Sequence, residues 1–237
     1  MTIKKIVKIS LGIVVFLTLP SLLFFGFVYF KYNEELPTGI AGPQADSLAH
    51  NMLEALNYEA YKNTNYIEWS FKNRRHYQWQ KNKHTCTVRW KDYKVQLHLN
   101  HPDSSKVFVH NFEIQGEQAS EHIKTALGYF NNDSFWLVAP YKVFDPGTER
   151  QLIPLDNNQQ GLLVTYTSGG TTPGDSYLWI LDANNKPIKF RMWVQILPIG
   201  GLEASWNNWT TTESGALLPT FHQFLFLGIK LNNVVGK

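Results

Sequence analysis

Two hydrophobic periods and one uninterrupted apolar run divide this chain. From Ile9 to Phe30, 22 consecutive positions carry no charge and are rich in Leu, Ile, Val and Phe, with only Gly, Ser, Thr, Tyr and Pro20 among them. As a helix rising about 1.5 Å per residue, that run is about 33 Å long, enough to cross a hydrocarbon core of about 30 Å. Residues 1–32 therefore read as a basic tip and a transmembrane anchor, and the run is too long, and closes on no A-x-A site, for a cleaved signal peptide. Residues 33–45, with Pro37, Gly39, Gly42 and Pro43, read as an extended linker.

The period then becomes helical. Leu48, Met52, Ala55 and Leu56 recur at 3.6-residue spacing behind a cap at Asp46 or Ser47, which predicts an amphipathic helix to about Tyr61. From Tyr66 the period is two. Cys86, Val88 and Trp90 alternate with polar neighbours, as do Tyr93, Val95, Leu97 and Leu99, and Lys91-Asp92 between them makes a hairpin turn. Similar runs at 67–71, 76–80, 106–112, 150–155, 162–167, 176–181, 188–195, 204–212 and 220–227 bring the total to about eleven strands. A second helix is predicted over Glu117–Phe130, where Ala119, Ile123, Ala126, Leu127 and Phe130 share a face.

Two helices among so many closely spaced strands leave no room for crossover connections, so the sheet must be mainly antiparallel. The fold class expected is α+β. A curved, mainly antiparallel sheet forms an incomplete barrel over two helices, preceded by one N-terminal transmembrane helix. Residues 46–237 make one β-rich domain.

Charge sharpens this division. The formal net charge is +3, but Lys4, Lys5, Lys8 and Lys31 flank the apolar run and leave 18 basic and 19 acidic groups among the other 205 residues. A near-neutral domain has no electrostatic reason to seek nucleic acid. Three lysines before the run and one close behind it predict a cytoplasmic N-terminus and an exported C-terminal domain, with Tyr29 and Tyr32 in the interfacial belt. In a bacterial cell that places the chain in the inner membrane with its domain in the periplasm. Cys86, the only cysteine, permits no intrachain disulfide, and its strand parity with Val88 and Trp90 turns it inward.

Catalytic signatures are lacking. The chain has no G-x-S-x-G, H-E-x-x-H or G-x-x-x-x-G-K-[ST] motif, and Gly174-Asp175-Ser176 reads as a turn behind Pro173. His98 and His101 are three apart at a strand end with only Asp103 nearby, a weak basis for a metal site. A non-enzymatic protein without metal or cofactor is expected. The densest basic patch runs from Lys72 to His76, and its Lys72, Arg74 and Arg75 are candidates for contact with anionic lipid head groups.

Aromatic residues carry the strongest functional signal, with eight Trp, 11 Tyr and 15 Phe. All eight tryptophans lie in the exported domain. Large rings on a concave sheet leave an irregular interior that an acyl chain can fill, and each indole adds a polar handle. Trp69, Trp79, Trp90, Trp136, Trp179, Trp193, Phe135 and Phe190 are the expected cavity lining.

The order of elements also resembles a known family. The amphipathic helix leading into aromatic strands (Leu48–Phe71), the chain of short hairpins and the segment Asn132-Asp133-Ser134-Phe135-Trp136-Leu137-Val138-Ala139-Pro140 are similar to the LolA-like, lipoprotein carrier-like proteins of bacterial envelopes. So is the strand-turn-strand of residues 177–190 with its Asp182-led turn and Pro187. The resemblance covers roughly residues 45–227 and is closest to uncharacterised Bacteroidota members, which share the Asn-Asp-Ser-Phe-Trp segment and Asp145-Pro146-Gly147. It implies an incomplete barrel closed by helices, with an apolar cavity for the acyl chain of a lipid or lipoprotein. The spanning helix departs from the family's soluble carriers and suits a tethered receiver or sensor. The alternative expectation is an envelope scaffold with a fully packed core that binds another protein.

Overall fold

The structure, a computed structural model, describes residues 3–169 and 172–237; the first two residues of the basic tip lie outside that range. Helix α1 (Ile3–Tyr32) is continuous through Pro20 and keeps its described side chains exposed or half-exposed, as an apolar helix without a protein partner must. It is long and apolar enough to cross a membrane. Strand β1 (Ile40–Ala41), helix α2 (Pro43–Ala55) and helix α3 (Tyr58–Asn63) follow. The helix expected up to Tyr61 is thus broken, because Asn57 adopts a left-handed conformation with φ of 55°.

A hairpin series comes next: β2 (Tyr66–Phe71), β3 (Arg75–Gln80), β4 (Thr85–Trp90), β5 (Tyr93–His98), β6 (Lys106–Val109) and β7 (Phe112–Ile114). Helix α4 (Glu117–Val138) separates them from β8 (Thr148–Pro154), β9 (Gln160–Tyr166), β10 (Ser176–Leu181), β11 (Pro187–Trp193), β12 (Leu202–Ser205), β13 (Asn207–Thr211), β14 (Leu217–Phe224) and β15 (Leu227–Gly236). All strands belong to one antiparallel sheet in the order β1-β8-β9-β10-β11-β12-β14-β15-β2-β3-β4-β5-β6-β7, with β13 paired to β14. The first and last strands do not pair, so the barrel stays open. Its two free edges are strands of two and three residues, too short to template another chain.

Among the described residues fifteen strands stand where about eleven were expected, and turns without Gly or Pro account for most of the difference. His110-Asn111, both at positive φ, split the run 106–112; Trp206 splits 204–212; Leu225-Phe226 split the last run and open the long β15. That strand was masked by Asn232-Asn233, where its pairing with β2 shifts register. The linker is also more ordered than its composition suggests. Ile40 and Ala41 pair with Leu152 and Gln151, and the Glu34 N–H donates to the Gly200 carbonyl in the β11–β12 connection.

Alternation sets the two faces. In β4, Cys86, Val88 and Trp90 are buried while Arg89 is exposed, so the lone thiol is indeed sequestered. All six residues of β10 are buried, since that strand is covered on both faces. The concave face holds α4, which crosses from β5 and β6 to β14, and α2, which lies on β8 and β9. The core of the domain fills the space between.

Helix α4 runs eight residues past its expected end at Phe130. Asn131-Asn132-Asp133 would ordinarily favour a helix end. Here the Asp133 side chain is fully buried and held from the sheet: Arg75 donates from Nε to Oδ2 at 2.6 Å and from Nη2 to Oδ1 at 2.9 Å, and the Tyr77 hydroxyl donates to Oδ2 at 2.5 Å. Tertiary bonding overrides local preference. Replacing Arg75 by Met strands the carboxylate and should destabilise the domain by about 3–5 kcal/mol, whereas removing both charges with Arg75→Met/Asp133→Leu should recover most of that loss. Thermal unfolding of the full chain in detergent measures both.

Candidate functional site

The candidate site is the aromatic interior between the concave sheet and α4. It assembles in three groups. Trp69 stacks on Tyr77 with centroids 4.5 Å apart, and Trp79 meets Phe130 of α4 edge-on at 5.3 Å. Trp90 packs against Tyr93 and, at 5.6 Å, against Tyr129 of α4. The largest group joins Phe135 and Trp136 of α4 to Tyr177, Trp179, Phe190 and His222 of the sheet and to Trp206 between β12 and β13, with centroids 4.3–6.5 Å apart. Of the eight expected rings, Phe135 and Trp136 stand on α4, and Trp69, Trp79, Trp90, Trp179 and Phe190 join them in the interior.

Trp193 does not. It lies three residues from Phe190 and so has the opposite strand parity, which puts it on the outer face against Ile153, Leu163 and Leu178. There its indole N–H donates to the Glu34 carbonyl at 2.9 Å. The basic patch also divides. Lys72 and Arg74 are exposed on the β2–β3 turn, but Arg75 turns into the domain, its guanidinium between the rings of Phe71 and Tyr129 and bonded to Asp133. It is committed to the core and not free for a head group. Sequence reasoning missed Tyr77, Tyr177, Trp206 and His222; the strand parity of Tyr77 with Trp79, and of Tyr177 with Trp179, was the available signal.

Polar groups inside the interior are few. Burial, and then the neighbouring Asp133, push the Tyr77 hydroxyl well above its ordinary range, and burial beside Asp175 does the same for Tyr177. Three buried indole N–H groups, on Trp69, Trp179 and Trp206, have no hydrogen-bond partner among the described residues. Such donors are costly in an apolar interior. Clefts among the described residues open elsewhere on the surface. One of about 430 Å³ lies between Pro102-Asp103 and the α4 residues Ser120, Ile123, Lys124 and Leu127. The other, of about 370 Å³, lies between Glu34-Pro37 and the outer face at Leu178, Lys189 and Arg191. Among the described residues, no three His, Cys, Asp or Glu side chains gather as a metal site would require.

No protein-family model matches the chain, and no curated protein matches it. Among solved structures, the chain is similar to a DUF1329 family protein from Desulfovibrio piger at 9% identity and a TM-score of 0.41, over 81% of this chain and 93% of that one.

His222 is the one titratable group of the interior with a usable signature. Its Nδ1 lies 2.9 Å from the Ser205 carbonyl oxygen and its Nε2 lies 2.7 Å from that of Trp136. Two acceptors favour an imidazolium, which alone donates from both nitrogens. Burial opposes this more strongly and lowers the pKa from 6.5 to about 4, leaving a neutral ring with one N–H. The unfolded chain then takes up a proton before the folded one does, so stability is full above pH 6.5 and falls as pH drops toward about 4. The loss should approach about 3 kcal/mol over that window and vanish in His222→Gln. Unfolding of the full chain across pH tests it; a stability that stays flat or rises on acidification would mean that the two carbonyls win.

Proposed function

We propose that this chain is a single-pass, non-enzymatic envelope protein that binds the acyl chain of a lipid or lipoprotein between α4 and the concave face of a LolA-like half-barrel. Its N-terminus lies in the cytoplasm and its β-rich domain in the periplasm. Helix α1 and its lysine asymmetry support the placement. The observation that carries the ligand class is the trio of buried, unpartnered indole N–H groups on Trp69, Trp179 and Trp206, set in walls of apolar ring. An acyl chain satisfies the walls, and an ester or amide carbonyl at its head satisfies a donor.

Entry requires α4 to lift from the sheet. Its hold is polar where Asp133 meets Arg75 and Tyr77 and where the Trp136 carbonyl meets His222, so the helix can part as a unit once both contacts are displaced. Ring centroids only 4.3–6.5 Å apart favour a second reading, a packed scaffold that binds a protein and takes no lipid.

A photoactivatable fatty acid incorporated into membranes that carry the full chain separates the two. Cross-links mapped by mass spectrometry to α4, β10 and β11, reduced about fivefold by Trp206→Phe, which keeps an aromatic side chain and removes the indole donor, support acyl binding. Cross-links confined to α1 leave the scaffold.

A further inference from the structure

The connection between β14 and β15 is a two-residue turn whose chemistry is opposite to that of an ordinary hairpin tip. Phe224 pairs with Leu227, so Leu225 and Phe226 are the central residues. Tight turns of this kind favour Asn-Gly or Asp-Gly, because positive φ is needed and the tip faces water. Leu225 instead adopts φ of 50°, a conformation uncommon for Leu. Leu225, Phe226 and Leu227 are 46%, 85% and 47% exposed. A strained, apolar tip gains nothing in water.

Register shows where this tip lies. Ala204 of β12 pairs with Phe224, and the strands are antiparallel, so Phe226 falls level with Leu202 at the start of β12. Leu202 in turn pairs with Met192 at the end of β11. The tip therefore occupies the same rim of the sheet as the β11–β12 connection, residues 194–201, which carries Ile196 at 71% exposure. That connection is fastened to the end of the spanning helix. Helix α1 stops at Tyr32; the Asn33 side chain accepts from the Gly200 N–H at 2.9 Å, and the Glu34 N–H donates to the Gly200 carbonyl at 3.0 Å. The residues that leave the bilayer are thus hydrogen-bonded to the rim from which the apolar side chains project.

Basic groups sit on the same rim, set back from the tip. Lys230 of β15 is exposed, and its carbonyl accepts from the Lys72 N–H at 3.0 Å, which places the exposed Lys72 and Arg74 of the β2–β3 turn beside it. Lys230 is three residues beyond Leu227, about 10 Å along the strand. That offset matches a bilayer surface, with rings at the acyl boundary and cations at the phosphates.

We infer that this rim is a second membrane contact, at which Phe226, Leu225, Leu227 and Ile196 insert into the interface of the same bilayer that holds α1, while Lys72, Arg74 and Lys230 meet anionic head groups. The inference rests on α1 spanning the membrane and is independent of whether the interior binds an acyl chain.

Four labels, each at one introduced cysteine in the full chain, test it in vesicles of phosphatidylethanolamine and phosphatidylglycerol. The native Cys86 is buried at 1% exposure and stays unlabelled. An environment-sensitive fluorophore is attached at Phe226→Cys, at Ile196→Cys in a separate loop, at Asn184→Cys on the opposite rim, and at Leu17→Cys within α1. The labels at 226 and 196 should emit as in lipid, be quenched by nitroxide-bearing lipids, and be about tenfold less accessible to aqueous iodide than the label at 184. Iodide access at 226 and 196 equal to that at 184, with 17 still protected, overturns the contact and leaves the anchor standing. A label at 17 open to iodide overturns the anchor and the contact together. Protection at 226 and 196 without quenching by lipid nitroxides means that a protein covers the rim, and this too overturns the inference.

Discussion

The Asp133 carboxylate governs how the two layers of this domain meet. A charge removed entirely from water is tolerated only when its acceptor positions are filled, and both oxygens are filled from neighbouring groups: Arg75 and Tyr77 of β3, and Asn132 beside it on α4. Apolar contacts between α4 and the sheet could be made in several registers. The bidentate geometry of Arg75 permits one. With α4 fixed in translation and rotation, Phe130 is delivered to Trp69 and Trp79, and Phe135 and Trp136 to Phe190 and Trp206. The helix would otherwise end near Asn131, and half of the aromatic interior would lose its inner wall.

A second consequence is the unequal treatment of the two sheet faces. The inner face is filled by rings. The outer face near β8 to β11 carries a small apolar cluster of Ile153, Leu163 and Leu178, with Leu155 and Trp193 packed on it. Glu34 lies over Trp193, and its carboxylate pairs with Arg191 at 3.1 Å, so the segment leaving α1 serves as a cover for this patch. The same few residues connect α1 to the sheet and shield apolar surface that would otherwise be wet.

Much of this was legible from periodicity. Strands with clean alternation, such as β4 and β5, and the turn between them were recoverable residue by residue, and so was the inward placement of Cys86. What escaped followed from contacts distant in sequence. Asp133 reads locally as a helix stop, and only Arg75, 58 residues earlier, explains why the helix continues. The turn at Leu225-Phe226 lacks the residues that normally announce a reversal, and the one at His110-Asn111 offers only Asn111. Trp193 looked like its neighbour Phe190 in composition, although counting three residues along a strand would have sent it outward. Within the interior, sequence identified most of the rings and could not reveal that three of their N–H groups go unpaired.

The hydrogen bonds between residues 33–41 and the sheet limit how far this domain can travel. A flexible tether of about nine residues would let a domain sweep a radius of about 15–18 Å above its anchor. Bonded through Glu34, Gly39 and the β1 pairing, the same residues contribute almost no slack. Reach is thereby exchanged for a fixed height and heading. With α1 in a membrane, as proposed, lateral diffusion in the plane of that membrane would be the domain's main freedom.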